Sequence, residues 1–229
     1  PGRRWAETRP LRFFARGEWD RLVRGGGLKA GRLLESLDSG NAVYRGVFDP
    51  SGRRMAVVVS MDGAPEIYVV DADGRNPRRL TRHKAIDVSP TWSPDGKQIA
   101  FVSDRTGSPN VYVMNDDGSG LRRLTIGGGY YTAPAWSPDG RWIAYEVLVG
   151  GQLDIWLIDP EGQVNVPLIT HPRSDESPTW APDGRKLAFQ SARRGRPEIF
   201  AVDIDGSNLQ QLTEGGGENT APHWGPYPR

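Results

Sequence analysis

Runs of alternating apolar and polar residues recur along most of the chain, and turns rich in Pro, Asp and Gly separate them. Alternation with a period of two is typical of a β-strand that buries one face. One set of predicted strands covers 55–60, 99–103, 142–147 and 187–191. A second set, each member beginning with an acid or an amide, covers 66–71, 110–115, 154–159 and 198–203. The pattern therefore predicts an all-β protein.

An aromatic residue recurs every 44 residues, at Phe48, Trp92, Trp136, Trp180 and Trp224. The first four are each followed by a Pro-Ser-Gly or Pro-Asp-Gly turn, in which Gly supplies a positive φ and Pro fixes its own φ. Four short antiparallel strands per repeat make one blade of a β-propeller. Because a blade cannot bury both of its faces alone, these aromatic residues are predicted to fill the space between neighbouring blades. The proline two residues before each Trp predicts that the first strand of a blade is an edge strand facing a central channel.

The repeat divides the chain into four full blades at 45–88, 89–132, 133–176 and 177–220. The two ends, 11–44 and 221–229, together fit one more blade, in which 221–226 supplies the first strand that the front segment lacks. Such a closure leaves no open sheet edge, and it predicts a single five-bladed domain over 1–229. The alternative is that Trp5 belongs to the first strand of the front blade, so that Trp224 begins a sixth, truncated blade.

Composition excludes several kinds of site. The absence of Cys rules out disulfides, thiolate metal sites and a cysteine nucleophile. The formal net charge is +1, and although residues 1–54 hold 12 Arg or Lys against 6 Asp or Glu, the basic residues do not form one run. We therefore expect no nucleic-acid binding. No stretch of 18 apolar residues is present, so we expect any membrane association to come through a partner or through an anchor outside this sequence.

The repeat resembles a known family. The pattern x-P-x-W-S-P-D-G-[RK]-x-[IL]-A-[FY] is carried by 89–101, 133–145 and 177–189, and each repeat closes with Leu-Thr or a similar pair. It resembles the TolB-like propeller repeat, a relative of the WD-type repeats. This resemblance implies a non-catalytic scaffold that binds proteins in the bacterial envelope or periplasm. Similar repeats also form the propellers of prolyl-oligopeptidase-like enzymes, whose hydrolytic residues sit in another domain.

The loops that join one blade to the next are predicted to converge at the channel mouth, where propellers place their functional surfaces. Matched positions of the repeat bring acidic, amide and aromatic residues together there: Tyr44, Asp87, Tyr130, Tyr131, Asp175, Glu176, Glu218 and Asn219. Neighbouring tyrosines are typical of protein contacts, and a group of acids suits a basic peptide or Ca²⁺. The alternative is that these acids cap turns and face water. We expect a protein or peptide partner, with Ca²⁺ in the channel as a second candidate ligand.

No catalytic constellation is present. The sequence lacks G-x-S-x-G, H-E-x-x-H and P-loop motifs, and its histidines, His83, His171 and His223, are too few and too far apart in the repeat for a zinc site. The triple-glycine runs at 127–129 and 215–217 precede no helix, so they are interpreted as loops. The sequence thus predicts a non-enzymatic binding or scaffold propeller. Two alternatives stay open: a carbohydrate-active hydrolase or lyase, in which Asp175 and Glu176 would act, and a non-catalytic module of a larger enzyme.

Overall fold

The computed structural model describes residues 42–60, 63–215 and 217–224. These residues form four antiparallel sheets of four strands and contain no helix that could cross a membrane. The chain order of each sheet is also its spatial order, as in a propeller blade. The predicted all-β propeller of four-stranded blades is therefore confirmed.

Each blade has four strands, which are numbered in chain order, and the bounds of the strands repeat from blade to blade. The first strands are β1 (Ala42–Phe48), β5 (Asp87–Trp92), β9 (Tyr131–Trp136) and β13 (Asp175–Trp180). The second strands are β2 (Arg54–Ser60), β6 (Gln98–Ser103), β10 (Ile143–Val149) and β14 (Lys186–Ser191). The third strands are β3 (Glu66–Asp71), β7 (Asn110–Asn115), β11 (Gln152–Ile158) and β15 (Glu198–Asp203). The fourth strands are β4 (Arg78–Arg79), β8 (Arg122–Arg123), β12 (Asn165–Ile169) and β16 (Gln210–Gln211).

The first strands form the inner wall of the ring. Contacts link β1 to β5, β5 to β9 and β9 to β13, so these four strands follow one another around an axis. Each has a free edge, which accommodates the prolines at 90, 134 and 178 without loss of a ladder hydrogen bond. A register shift with the second strand precedes Trp92, Trp136 and Trp180. The residues just before the three prolines, Ser89, Ala133 and Ser177, adopt φ values of 53, 47 and 56°. The predicted edge position of the proline-bearing strand is confirmed.

The turn after each tryptophan is closed by its own residues. Gly96 has a φ of 69°, and its N–H donates to the carbonyl of Ser93 at 2.9 Å. The Asp95 carboxylate accepts the Ser93 hydroxyl at 2.7 Å and the Lys97 N–H at 3.0 Å. These bonds hold the pKa of Asp95 below its usual range, the Ser93 hydroxyl having the largest effect. The recurring Pro-Asp-Gly acid is thus part of the turn.

The recurrent tryptophans lie between blades, as predicted. Trp92, Trp136 and Trp180 are buried, and Trp92 and Trp180 each donate their indole N–H to a carbonyl of the preceding blade, Val47 at 3.1 Å and Ala135 at 2.9 Å. Phe48, in contrast, is 41% exposed. The residues that precede blade 1 are outside the described part of the structure, so a contact of Phe48 with a preceding blade stays a prediction.

The predicted ring closure falls largely outside the described residues, because both the front segment 11–41 and residues 225–229 are not among them. The described end of the chain nevertheless repeats the geometry of a first strand. Ala221 has a φ of 50°, and the Trp224 indole donates to the Thr179 carbonyl at 3.1 Å. Residues 221–224 therefore continue the repeat, and the choice between five and six blades stays a prediction.

Trp180 provides a direct test of packing between blades. We expect Trp180→Ala to lower the free energy of unfolding by about 3–5 kcal/mol, because it leaves a cavity between blades 3 and 4 and removes the bond to Ala135. Trp180→Phe keeps most of the buried ring and should cost clearly less. Chemical denaturation followed by far-ultraviolet circular dichroism, which reports the backbone, measures the free energy of unfolding of both variants. Equal losses for the two variants would contradict the proposed role of the buried ring.

Candidate functional site

One end of the propeller carries both the loops between blades and the loops between second and third strands. We call this end the upper face; it is where β1, β5, β9 and β13 begin. Antiparallel order places the end of each second strand and the beginning of each third strand at the same level. The residues predicted at the channel mouth lie on or just below this face.

Two of the predicted acids are buried instead of exposed. Asp87 and Asp175 are the first residues of β5 and β13, and both have no accessible surface. Arg105 Nη2 donates to both Asp87 oxygens, at 3.0 and 3.1 Å, and Arg193 Nη2 donates to Asp175 Oδ1 at 2.9 Å. The prediction that these two acids lie exposed in open loops is wrong, because an arginine from the next loop covers each one.

Each of these arginines also stacks on the aromatic residues of its own blade. The Arg193 guanidinium lies 5.4 Å from the Phe189 ring and 4.7 Å from the Phe200 ring. Arg105 makes the corresponding contacts in blade 2, at 5.7 and 4.9 Å. Such cation–π contacts add to the ion pair when the group is desolvated. Blades 2 and 4 therefore close their upper ends with an Asp–Arg–aromatic unit.

Blade 3 lacks this unit. Tyr131 stands where the other two blades have Asp, and Val149 stands where they have Arg. The hairpin is also different: β10 runs to Val149, and Gly150 and Gly151, with φ values of 59 and 92°, make a two-residue turn into β11. Tyr131 packs edge-on against Tyr145, with ring centres 6.0 Å apart. The blade thus ends in a longer hairpin with no arginine across it.

The altered end of blade 3 exposes a group of apolar side chains, which we call the blade 3 patch. Its members are Ile126, Tyr130, Leu148 and Val149, exposed by 80, 45, 45 and 41%. Leu148 and Tyr130 are joined, since the Leu148 N–H donates to the Tyr130 carbonyl at 2.9 Å. The Tyr131 hydroxyl donates to the Ile126 carbonyl at 3.3 Å and ties that loop to the strand. The patch is therefore held on ordered backbone.

Two glutamates lie beside the patch near the channel. Glu146, on β10, is buried and accepts the Thr132 hydroxyl and the Ser177 N–H, both at 2.7 Å. Glu176, on β13, is half-buried and accepts a hydrogen bond from Gln190 Nε2 at 3.0 Å. Burial raises the pKa of Glu176, and the nearby negative charge of Glu146 raises it further. The sequence pattern did not single out Glu146, because the matched positions of the other repeats hold Val58, Val102 and Gln190.

The remaining predicted residues are dispersed. Glu218 is exposed, whereas Asn219 is half-buried and donates its side-chain N–H to Glu198 Oε2 at 2.9 Å. Tyr44 lies in β1, and its side chain is outside the described part of the structure. The predicted residues that keep accessible surface are Tyr130, Tyr131, Glu176, Glu218 and Asn219, and their convergence at one binding site stays a prediction.

The histidine loops serve local structure. The ring Nδ1 atoms of His83 and His171 accept the N–H of Ala85 and Arg173, at 3.0 and 3.1 Å. Within 42–60, 63–215 and 217–224, no three His, Asp or Glu side chains are grouped to hold a metal ion. Ca²⁺ in the channel remains a prediction.

Comparison with known proteins bears on this geometry. The profile of the TolB beta propeller domain matches residues 38–228. The Tol-Pal system protein TolB of Anaeromyxobacter dehalogenans strain 2CP-1 is 42% identical over 61 residues, which are 27% of this chain and 14% of that protein. The corresponding protein of Desulfosudis oleivorans is 44% identical over 48 residues, 21% of this chain and 10% of that protein. The alignments thus cover a small part of these relatives.

Solved structures of similar fold also include TolB proteins. A putative TolB from Agrobacterium tumefaciens has a TM-score of 0.69 and 25% identity, with 81% of this chain and 66% of that chain covered. TolB from Acinetobacter baumannii also has a TM-score of 0.69, with 29% identity and coverage of 77 and 44%. A puromycin-hydrolyzing peptidase from Mycobacterium tuberculosis has a TM-score of 0.62 at 19% identity, and that similarity shows the fold alone.

The buried Asp–Arg pairs are open to a stability test. Arg193→Ala leaves the Asp175 charge buried without its cation, and we expect a loss of about 3–5 kcal/mol in the free energy of unfolding. A matched control is Arg141→Ala, because Arg141 pairs with Asp139 on the surface and is 73% exposed. We expect little measurable change there. Similar losses in the two variants, measured by urea denaturation, would argue against a buried ion pair at Arg193.

Proposed function

Since the chain belongs to the TolB beta propeller domain family, we propose that it binds a protein partner through the upper face, at the blade 3 patch. One observation carries this proposal: blade 3 exposes apolar side chains at the end where blades 2 and 4 have a buried ion pair. Blades 2 and 4 use the same positions for a buried Asp–Arg pair. Blade 3 gives up that pair and exposes Leu148 and Val149 instead.

Exposed apolar side chains grouped on ordered backbone favour a protein interface. A cluster of this kind gains free energy when a partner covers it, since apolar surface then leaves water. Tyr130 adds a ring that is enriched at interface centres, because it brings large contact area at low entropic cost. The bond from Leu148 to the Tyr130 carbonyl keeps the two side chains together before binding. Preorganisation of this sort lowers the cost of association.

The acids next to the patch indicate the chemistry of the partner. Glu146 lies two residues before Leu148, or about 7 Å along β10. Glu176 lies near this neighbour, and burial together with the repulsion from Glu146 raises the pKa of Glu176. A Lys or Arg side chain entering here would offset that repulsion. We therefore expect a segment that combines an apolar side chain with a basic one.

The proposed setting is the bacterial envelope. The curated relatives are Tol-Pal system proteins, and by similarity we propose a periplasmic role in contact with other proteins of that kind. We also propose that this propeller is not itself catalytic. The peptidase structures share its fold at identities below 25%, so they provide no support for hydrolysis here.

Photo-crosslinking in the cells that make the protein tests the proposed surface. A photoreactive phenylalanine at position 149 should give a discrete crosslinked product, because it lies within the blade 3 patch. The matched control is position 164, since Val164 is 46% exposed but lies next to the outermost strand β12. Adding Leu148→Asp should reduce the product at least tenfold, and Glu176→Gln should reduce it less. Equal crosslinking at 149 and 164 would refute the proposed site.

The non-catalytic part of the proposal has a separate test. Purified protein incubated with panels of glycan and peptide substrates should show no turnover above a boiled control. Turnover that Glu176→Gln abolishes would instead establish a hydrolase at the upper face. The crosslinking result would stand independently of that outcome.

A further inference from the structure

Two buried carboxyl groups at the junction of blades 3 and 4 each have one oxygen without a hydrogen-bond partner. Asp154, the third residue of β11, is 4% exposed, and its Oδ1 has no donor. Asp175, the first residue of β13, is fully buried, and its Oδ2 has no donor either. Buried polar atoms without partners are rare in folded proteins, because each costs its full desolvation penalty. Two such oxygens at one junction require an explanation.

The repeat shows which donors Asp154 has lost. At the matched position of blade 1, Glu66 accepts the Thr81 hydroxyl and Arg79 Nη2, both at 2.6 Å, and the His83 N–H at 3.0 Å. In blade 3 the threonine is replaced by Ile169 and the arginine by Pro167. Only the backbone N–H of His171 still acts on the Asp154 carboxyl.

Asp175 differs from its own counterpart in the same way. Arg105 covers both oxygens of Asp87 in blade 2, whereas Arg193 reaches Asp175 Oδ1 alone. The second oxygen of Asp175 is therefore left without a donor. The residues just before the two acids are in contact, since the Leu153 N–H donates to Ser174 Oγ at 3.2 Å. This contact joins the two strands directly before the acids, and the charge of Asp175 acts on the Asp154 carboxyl.

The next junction shows how such a pair is satisfied. There, Glu198 and Asn219 occupy the positions of Asp154 and Asp175, and the Asn219 amide donates to Glu198 Oε2 at 2.9 Å. At the junction of blades 3 and 4 both side chains are carboxyls, so neither can donate while both are ionised. We infer that Asp154 carries a proton that it donates to Asp175 Oδ2, so that the junction of blades 3 and 4 is a proton-binding site.

The charges around this site are consistent with proton uptake. Burial raises the pKa of Asp154, the His171 N–H opposes that effect, and the negative charge of Asp175 raises the pKa further. The other charged groups facing the pair are Arg193, which binds the other oxygen of Asp175, His171, whose positive charge when protonated lowers the pKa of Asp154, and Glu176, which adds negative charge. Burial and the neighbouring carboxylates outweigh the cations at Asp154, so its pKa is raised.

The sign of the pH dependence follows from linkage. A carboxyl whose pKa is raised in the folded protein binds its proton more tightly there than in the unfolded chain. Its contribution to stability is complete below the ordinary value of 3.8 and is lost as the pH rises through the raised pKa. Asp154→Asn replaces the protonated carboxyl of Asp154 by a permanent amide donor. The variant should therefore gain stability relative to the unmodified protein as the pH rises.

Thermal unfolding of both proteins between about pH 4 and pH 8 measures this difference. We expect the Tm of Asp154→Asn minus that of the unmodified protein to increase with pH. The reciprocal variant, Asn219→Asp, removes the natural donor and should show the opposite trend. A Tm difference that stays flat with pH for Asp154→Asn would overturn the proposal.

A second measurement does not depend on how the variants fold. Carbon-13 NMR of the aspartate carboxyls in the unmodified protein should show one group that titrates above the ordinary range, and Asp154→Asn should remove it. If no aspartate titrates there, Asp154 carries no such proton. If Ca²⁺ or Na⁺ raises the Tm of the unmodified protein but not that of Asp154→Asn, the two oxygens hold a cation and the proposal is wrong.

Discussion

The fold depends on the contact that each repeat tryptophan makes with the blade before it. Trp92, Trp180 and Trp224 donate their indole N–H to carbonyls 45 residues earlier, which is one blade plus one residue. A four-stranded blade has two apolar faces and cannot bury either alone. The indole fills the gap between blades, and at three of the four junctions it also hydrogen-bonds to the preceding blade, whereas the Trp136 indole donates to Gly140 of its own blade. Because the spacing is constant, the upper ends of all blades come to the same level.

The sequence predicted the blades well because their boundaries depend on local chemistry. The turn after each first strand needs a residue with a positive φ, and Gly stands there. The first strand is an edge strand, which tolerates the Pro that precedes the tryptophan by two residues. Three of the four third strands begin and end where the alternation places them. In blade 3 that strand begins two residues early, at Gln152, since Gly150 and Gly151 make a tight hairpin turn. The pattern alone did not distinguish that turn from a longer loop.

The candidate site was harder to predict, because burial depends on residues from another loop. Asp87 and Asp175 were expected to be open ligands, yet an arginine 18 residues further on covers each of them. The signal was present in the sequence: blades 2 and 4 have both Asp and Arg at matched positions, and blade 3 has neither. The pattern did not mark Glu146 as a site residue, since it lies within a strand and the matched positions of the other blades hold Val or Gln. Which column faces the channel is decided by packing between blades.

Departures from the repeat indicate where this propeller has a special role. All blades share one set of structural needs, so a position that gives up a stabilising bond in a single blade is under some other requirement. Blade 3, like blade 1, lacks the Asp–Arg pair of blades 2 and 4, and it alone has replaced the threonine that binds the buried acid or amide at the start of the third strand in the other blades. Both losses lie at the same end of the same blade, beside the exposed patch and next to Glu176. Trp136 and Trp180 still pack between blade 3 and its neighbours, although the Trp136 indole donates to Gly140 of its own blade. Blade 3 can therefore present its altered end to a partner while its packing against blades 2 and 4 is kept.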